Sequence, residues 1–349
     1  MILIRVDGNG TIGLGHIMRC LSIADAIKRL VEDVVFAVAD ESCSRLLQQR
    51  GFAYTVLHTD YDDMDGEADR LLCLIEEQKP SVLIVDSYYV TAEYLQRLKE
   101  AVKVIYIDDQ LSFPYPADVV INYNIFAKAE DYLELYGGEG CPRLVIGPEY
   151  APLREEFSRV EPHDQPAFAS KVLVSTGGAD AQHIALKMIR YLTEYADMFK
   201  DHTFSFIIGG ANRDIDAIRD LCQEQTHFKL LCDVREMSRI MLDNDIAVSA
   251  AGSTLYELCA CAIPTVTYIL ADNQAPAAKV FNDKGIMINV GDVRAIPHFI
   301  ETTLKTVLSL SVNKEKRTRM SEAARQVTDG RGADRLASAV LRQPDETVM

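Results

Sequence analysis

The chain has 349 residues and is longer than most domains with a single hydrophobic core, so its length indicates two domains. A content of 48% hydrophobic and 25% charged residues is typical of a soluble globular protein. The 52 acidic side chains outnumber the 36 basic ones and give a net charge of −16, which argues against binding to nucleic acid or to an anionic membrane surface. Local groups must therefore hold any anionic ligand.

The cysteines and the N-terminus bear on the cellular compartment. Eight cysteines are scattered along the chain without the spacing of a zinc site or of a compact disulfide framework, so we expect reduced, mostly buried thiols. The N-terminal "MILIRVDGNG" has four apolar residues before its first charge, too few for a signal-peptide core or a membrane span. The sequence predicts a cytoplasmic protein and leaves the oligomeric state open.

Short apolar runs recur in the first half of the chain, with stretches of helical period after them. They are residues 2–6, 34–39, 53–57, 82–86 and 102–108. Apolar strands that alternate with helices are typical of a parallel sheet covered on both faces. The rhythm loosens after Asp109 and ends at residues 144–157, which gives a first domain of residues 1–158. Residues 159–170 are polar, contain prolines and are predicted to be a linker.

The same rhythm restarts after the linker. Apolar runs lie at residues 171–178, 203–210, 228–233, 245–252, 264–269 and 285–290, and a helical tail follows from about Ala295. We therefore predict a second domain of residues 171–342. The fold class is α/β, with two Rossmann-like domains whose parallel sheets face a central cleft, where ligands of such folds bind.

The glycine-rich loop "DGNGTIGLGHIMRC", residues 7–20, follows the first strand. Gly8, Gly10 and Gly13 satisfy the G-x-G-x-x-G pattern of dinucleotide-binding sites, and Asp40 stands where a ribose-binding acid would lie. In that fingerprint, however, the helix begins within the glycines. Here the apolar period places the helix start at Gly15 or His16, and so the dinucleotide interpretation is weak.

His16 is the alternative focus of this loop. It lies in the first turn of the predicted helix, where free N–H groups and the positive end of the helix dipole favour a neutral imidazole that can act as a base. Gly13 and Gly15 remove side chains from the approach and let a substrate reach the backbone. A capping or packed histidine is equally compatible with the sequence.

Two strand ends in the second half are candidate anion sites. Ser175, Thr176, Gly177 and Gly178 lie between a strand and a helix, and Ala251, Gly252, Ser253 and Thr254 do so after a later strand. A helix start with free N–H groups, hydroxyls and glycine is suited to phosphate, and two of them suit a diphosphate. Ordinary helix caps would look the same.

Three polar side chains near these helix starts are suited to sugar hydroxyls. Glu257 lies one turn into the second of these helices, on the face of Ser253 and Thr254, and could accept hydrogen bonds from a ribose. Asn273 and Gln274 stand at another helix start, where their amides could recognise hydroxyl or acetamido groups. Each is also compatible with a role at the helix terminus alone.

Several of these segments together resemble one protein family. "IRVDGNGTIGLGHIMRCLSIADAI", "LIVDSYYV", "IYIDDQ", "LVIGPEYAPLREEF", "VLVSTGGAD", "SAAGSTLYELCACAIPTV" and "LADNQ" run in family order from Ile4 to about Gln274. They are similar to the UDP-2,4-diacetamido-2,4,6-trideoxy-altropyranose hydrolases (PseG) of pseudaminic acid biosynthesis, a family that includes spore-coat polysaccharide proteins. The resemblance implies a GT-B fold like that of MurG-type glycosyltransferases, with UDP on the C-terminal domain.

The resemblance also implies an activity and its residues. It implies metal-independent hydrolysis of the bond between the anomeric carbon of the sugar and UDP, with no cofactor. The catalytic histidine of the family falls on His16 and its tyrosine on Tyr88, with Tyr89 as a competitor because the motif reads Asp-Ser-Tyr-Tyr. Its nucleotide-binding residues fall on Gly177, Gly178, Gly252, Ser253 and Glu257, and the usual Phe-Gly-Gly-Ser is here Thr-Gly-Gly-Ala.

We therefore expect His16 to take a proton from water as that water attacks the sugar, while helix starts near Gly178 and Ser253 stabilise the departing UDP. Asp7 could orient water or a sugar hydroxyl, and Arg19 could anchor the loop, offset phosphate charge or lie on a solvated face. The alternatives are a glycosyltransferase of the same fold and a non-catalytic nucleotide-sugar binding protein. The acidic run at residues 60–65 contains D-x-D and is expected to be a solvated loop, not a metal site.

Overall fold

The computed structural model describes residues 1–30, 33–162, 164–177, 180–210, 212–232 and 234–341. They form two compact units, Met1–Glu155 together with the segment from Arg331, and Glu156–Gly330. Each unit is a parallel sheet with helices, as the apolar runs predict.

The first unit contains a seven-stranded sheet in the order β3-β2-β1-β4-β5-β6-β7, with every pair parallel. All five residues of β1 and of β4 are buried, because helices cover both sheet faces. The strands are β1 Ile2–Val6, β2 Val34–Val38, β3 Ala53–Val56, β4 Val82–Asp86, β5 Lys103–Ile107, β6 Val119–Asn122 and β7 Arg143–Ile146. The helices between them are α1 Gly15–Lys28, α2 Ser44–Gln49, α3 Met64–Gln78, α4 Ala92–Lys99 and α5 Ala129–Leu135.

The second unit contains a six-stranded parallel sheet in the order β10-β9-β8-β11-β12-β13. The strands are β8 Lys171–Ser175, β9 Thr203–Ile208, β10 Phe228–Cys232, β11 Ile246–Ala250, β12 Thr265–Ile269 and β13 Met287–Asp292. The helices are α6 Ile184–Glu194, α7 Ile215–Gln223, α8 Met237–Leu242, α9 Thr254–Ala260, α10 Ala275–Asp283, α11 Phe299–Ser311 and α12 Lys314–Arg325. Both sheets reverse their strand order next to the first strand of the unit, β1 or β8. Ligands of open α/β sheets bind at the carboxyl ends of the strands at that point.

The C-terminal helix, α13 Gly332–Leu341, lies on the first unit, whereas the sequence assigned residues up to 342 to the second. Its apolar side chains, among them Leu336 and Val340, are buried, and α13 packs on α1. Gly332 makes the close approach possible, because a Cβ there would lie 2.1 Å from the carbonyl oxygen of Ala151. A helix distant in sequence thus completes the first unit.

The predicted linker, residues 159–170, is part of the second unit. Gln165 is buried, its amide nitrogen donates to Ser321 Oγ over 3.0 Å, and Arg317 Nε donates to its Oε1 over 3.3 Å. These side-chain hydrogen bonds fix the segment against α12.

All eight cysteines are free in the structure. Five of them are buried, which confirms the expectation of mostly buried cysteine side chains. No helix within the described ranges has the length and apolar character that crossing a bilayer would require.

Candidate active site

The glycine-rich loop between β1 and α1 has a shape set by its own residues. Asn9 Oδ1 accepts hydrogen bonds from the backbone N–H groups of Thr11 and Ile12, at 2.8 and 3.0 Å. Asn9 and Gly13 also exchange backbone hydrogen bonds across the turn. Gly13 has a φ of +75°, a conformation that favours glycine. The loop therefore closes on itself before the helix begins.

Helix α1 begins at Gly15, as predicted, and the glycines do not have the roles of the dinucleotide fingerprint. A Cβ at Gly8 would lie 2.7 Å from Ile17 Cγ2, so this first glycine allows the close contact of strand and helix. Gly13 and Gly15 have no atom within 4 Å of an added Cβ. Asp40, a ribose ligand only under the dinucleotide interpretation, accepts a hydrogen bond from the backbone N–H of Ser42. Open space around Gly13 and Gly15 agrees with the predicted clearance beside His16.

His16 pairs with Asp86, the last residue of β4. Its Nδ1 lies 2.6 Å from Asp86 Oδ1, and the two residues are only 7% and 1% exposed. The topology brings them together, because β1 and β4 are neighbours and Val6 pairs with Asp86. An ionised carboxylate can only accept hydrogen bonds, so Nδ1 carries a hydrogen, and in the neutral imidazole the lone pair is then on Nε2. This arrangement has the orientation that a histidine base requires.

Arg19, one turn beyond His16, fixes Asp86 from the other side. Its Nε donates to Oδ2 over 2.6 Å and its NH2 to Oδ1 over 2.5 Å, a bidentate pair. Burial alone would raise the pKa of Asp86, but the charge of Arg19 and the contact with His16 outweigh it and hold that pKa well below its usual range. Arg19 NH2 also lies 3.0 Å from His16 Nδ1, a contact of two donors and not a hydrogen bond.

The remaining donors of Arg19 are directed to the loops after β5 and β6. NH1 donates to Asp109 Oδ2 over 2.7 Å and to Tyr123 Oη over 3.0 Å. Asn124 Nδ2 donates to Asp109 Oδ1 over 2.8 Å. Of the roles expected for Arg19, anchoring agrees with these contacts, because its donors are engaged by acids of the protein.

Tyr88, not Tyr89, lies beside His16. The Tyr88 and His16 rings meet edge to face with centroids 4.4 Å apart, and Tyr88 Oη donates to Asp109 Oδ2 over 3.1 Å. Burial and the negative charge of Asp109 raise the pKa of Tyr88 above its ordinary value. The Tyr89 ring instead contacts Tyr61, at 5.8 Å between centroids. Tyr88 can therefore act together with His16.

Asp7 belongs to a separate buried cluster. Its Oδ2 accepts from Arg5 NH1 at 2.5 Å and its Oδ1 from the backbone N–H of Ala39 at 2.7 Å. Arg5 also donates twice to Glu67, at 2.6 Å each, and Tyr94 Oη donates to Glu67 over 2.8 Å. Burial raises the pKa of Asp7, although Arg5 opposes that rise. Both oxygens of Asp7 are thus engaged in holding the sheet.

Sequence reasoning assigned no role to the two acids that organise the site. Asp86 and Asp109 stand in "LIVDSYYV" and "IYIDDQ", at or just after the ends of β4 and β5. A carboxylate at the carboxyl end of a buried parallel strand was the available signal. The pairing of each acid with Arg19 depends on the strand order.

In the second unit, the candidate nucleotide residues follow β8 and β11, which are neighbours paired at Ser175 and Ser249. Helix α9 begins at Thr254, as predicted, with Ser253 exposed at its N-cap position and no side-chain cap. Gly252 has no atom within 4 Å of an added Cβ. Glu257 is half-buried in α9. These residues lie where a ligand of this sheet would bind.

The other predicted helix start is displaced. Helix α6 begins at Ile184 and not near Gly178, and Gly178 lies outside the described residues. Asp180 accepts hydrogen bonds from the backbone N–H groups of Ile184 and Ala185, at 2.8 and 2.9 Å. Because a carboxylate of the chain occupies these donors, they are not free for a phosphate. Gly177, exposed and with a φ of +84°, remains in the loop after β8.

Asn273 and Gln274 stand at a helix start, as predicted, in a short 3₁₀ turn of Asp272–Gln274 that precedes α10. Gln274 Oε1 accepts from the backbone N–H of Leu270 over 2.8 Å, so its oxygen is engaged. Asn273 is exposed. Of the two amides, Asn273 is the more accessible to a ligand.

Acidic side chains at the start of α3 accept hydrogen bonds from other groups of the protein. Asp63 Oδ1 accepts from the backbone N–H of Gly66 over 3.0 Å, and Asp65 Oδ1 accepts from Thr91 Oγ1 over 2.7 Å. Over the ranges that the structure covers, no group of three or more His, Cys, Asp or Glu side chains is arranged to hold a metal ion.

The chain is similar in sequence to known proteins. The chain is 23% identical over 347 residues to the spore coat polysaccharide biosynthesis protein SpsG of Bacillus subtilis, covering 97% of each. It is 26% identical over 258 residues to a UDP-2,4-diacetamido-2,4,6-trideoxy-beta-L-altropyranose hydrolase of Campylobacter jejuni, covering 73% of this chain and 86% of that protein. Both proteins are homologues of this chain. No protein-family model matches it.

The fold has solved counterparts. MurG of Acinetobacter baumannii is similar with a TM-score of 0.69 and 13% identity, covering 98% of this chain and 99% of MurG. The fold is of the GT-B type, as expected.

Proposed function

We propose that the protein hydrolyses a UDP-linked 2,4-diacetamido-2,4,6-trideoxyhexose to the free sugar and UDP, in nonulosonic acid biosynthesis of the pseudaminic type. The observation that carries this proposal is the pair of His16 Nδ1 and Asp86 Oδ1 at 2.6 Å, which leaves Nε2 as a free base. The activity named for the Campylobacter jejuni homologue and the polysaccharide role of SpsG support this substrate class.

The proposed reaction has one displacement at the anomeric carbon. Water attacks that carbon and gives a proton to His16 Nε2 as the new C–O bond forms. The bond between the carbon and the UDP oxygen breaks, and its electron pair leaves with UDP. Asp86 keeps its negative charge and stabilises the imidazolium beside it. General-base assistance of this kind is worth about 10²–10⁴ in rate.

We assign UDP binding to the second unit. Gly252 leaves open space at the carboxyl end of β11, and Ser253 adds an exposed hydroxyl and a backbone N–H that suit a phosphate oxygen. Glu257 would accept hydrogen bonds from the ribose hydroxyls, and Gly177 would allow close approach from the loop after β8. Asn273 is proposed to contact the sugar or its acetamido groups. UDP is a good leaving group, and the proposal includes no metal or other cofactor.

A glycosyltransferase of the same fold and a non-catalytic nucleotide-sugar binding protein are the rival functions. All three would bind the UDP-sugar. Only the hydrolase releases UDP when no acceptor is present, and a binding protein has no need of an oriented His16–Asp86 pair.

The test is incubation of purified protein with the UDP-sugar and no acceptor, with UDP measured over time. Release that is catalytic in protein supports hydrolysis, whereas tight UDP binding without release contradicts it. His16→Asn should abolish release and leave the UDP dissociation constant within about threefold, because the proposed UDP residues lie in the other unit. A large loss of UDP binding in that variant would mean that His16 has a structural role.

A further inference from the structure

The hydrogen of the Tyr88 hydroxyl is committed to a carboxylate of the protein, Asp109 Oδ2, over 3.1 Å. We propose that Asp109 is a positioning residue that makes Tyr88 Oη a hydrogen-bond acceptor beside His16, so that the site selects a nucleophile with two O–H hydrogens, namely water. The inference rests on the proposed hydrolysis. It adds the reason why water would be preferred over an alcohol.

Asp109 is held as an acceptor by its other partners. Arg19 NH1 donates to Oδ2 over 2.7 Å, and Asn124 Nδ2 donates to Oδ1 over 2.8 Å. With the Tyr88 hydroxyl, three donors converge on this carboxylate, which has no hydrogen to return. The Tyr88 oxygen therefore keeps its lone pairs for a neighbour on its other side. Tyr88 is 36% exposed, so a ligand can reach it.

The backbone that carries Asp109 is fixed by its neighbour. Asp108 is fully buried, and its carboxylate accepts from the Leu111 N–H and from the hydroxyls of Tyr115 and Tyr132. These bonds shape the turn directly after β5. Asp109 thus has one position relative to Arg19 and Tyr88.

His16 supplies the second acceptor. Because Nδ1 donates to Asp86, Nε2 accepts, and the edge-to-face contact of the rings places His16 and Tyr88 side by side. A water molecule can donate one hydrogen to each and direct a lone pair at the anomeric carbon. As the C–O bond forms, one hydrogen passes to Nε2, the second stays on the sugar as its new hydroxyl, and the UDP oxygen leaves with the bonding pair. An alcohol has one O–H hydrogen and leaves one acceptor without a partner.

The experiment measures how product divides between water and methanol in mixed solvent. Wild-type protein should give mainly free sugar. Asp109→Asn, whose amide can donate to Tyr88 Oη, and Tyr88→Phe, which lacks the acceptor, should each raise the ratio of methyl glycoside to free sugar about three- to tenfold, the value of one hydrogen bond. Tyr89→Phe is the matched control, because the Tyr89 ring contacts Tyr61, and it should keep the wild-type ratio.

The double variant separates positioning from a general structural effect. In the Tyr88→Phe background, Asp109→Asn should not change the product ratio further, because Asp109 sets that ratio through Tyr88. Any further fall in kcat would come from the contact of Asp109 with Arg19 and leave the ratio unchanged. Unchanged ratios in both single variants of an active protein would overturn this inference. Absence of UDP release by the wild-type protein would overturn the proposed function instead. If Asp109→Asn does not fold, Tyr88→Phe alone still decides the ratio.

Discussion

The Asp86→Asn substitution tests most directly whether His16 acts as a base, because it replaces a single heavy atom of the site. The carboxylate is 1% exposed and accepts from His16 and, twice, from Arg19. An amide has one acceptor oxygen, and its NH2 group can donate to His16 Nδ1. Donation to Nδ1 would favour the tautomer with hydrogen on Nε2, which removes the base.

The expected loss in kcat is about 10²–10⁴, the full value of general-base assistance, because the wrong tautomer cannot take a proton. Stability should fall as well. Removal of one partner from a buried ion pair costs about 3–5 kcal/mol, and Arg19 keeps Asp109, so we expect the lower end. For a unit of this size, about 3 kcal/mol corresponds to a fall in Tm of roughly 6–12 °C.

The stability effect has a defined pH dependence. The pKa of Asp86 is lower in the folded protein than its unfolded value of about 3.9, so the carboxylate stabilises the fold above that pH. The stabilisation is lost as pH falls through the folded pKa. The difference in unfolding free energy between wild type and Asp86→Asn should narrow as the pH falls below about 4.

The assay measures UDP release without acceptor, at a temperature where circular dichroism shows that the Asp86→Asn variant is folded. His16→Asn and the double variant are measured under the same conditions for comparison. The double variant should be no slower than His16→Asn, because both changes remove the same base. Turnover by folded Asp86→Asn within about threefold of wild type would refute the role of the pair.

Three further predictions concern other parts of the molecule. Gly15→Ala should stabilise the first unit by about 0.4–1 kcal/mol in thermal unfolding yet slow UDP release, because open space surrounds Gly15 beside His16; unchanged turnover would contradict the clearance. Glu67→Gln should cost about 3–5 kcal/mol of stability by denaturant titration, since it breaks a fully buried pair with Arg5, and turnover per folded molecule should stay the same. Dialysis against EDTA should leave UDP release unchanged, and activity that is lost and then restored by Mg²⁺ would contradict the metal-free proposal.

Periodicity predicted most strands because buried parallel strands are continuous apolar runs. It missed β6, Val119–Asn122, since "VVIN" is four residues long and follows a loop with two prolines. The packing of α13 on the first unit depends on the close approach of Gly332 to Ala151. A contact between residues so far apart in the chain cannot be predicted from a local sequence pattern.

The start of α1 followed from the apolar face of the helix, and so His16 could be singled out. Its partner could not, because Asp86 lies 70 residues away and reaches His16 only through the neighbouring positions of β1 and β4. The predicted helix start near Gly178 was wrong. The side chain of Asp180 accepts a hydrogen bond from the backbone N–H of Ile184, so α6 begins four residues after Asp180. Side-chain caps of that kind shift a helix start without changing the apolar pattern.

The central claim is that water attacks the anomeric carbon of the UDP-sugar. The reaction run in ¹⁸O-labelled water, with mass spectrometry of both products, tests it directly. The account predicts one ¹⁸O in the free sugar and none in UDP. Label in the phosphate of UDP would mean attack at phosphorus, and that result would contradict the account.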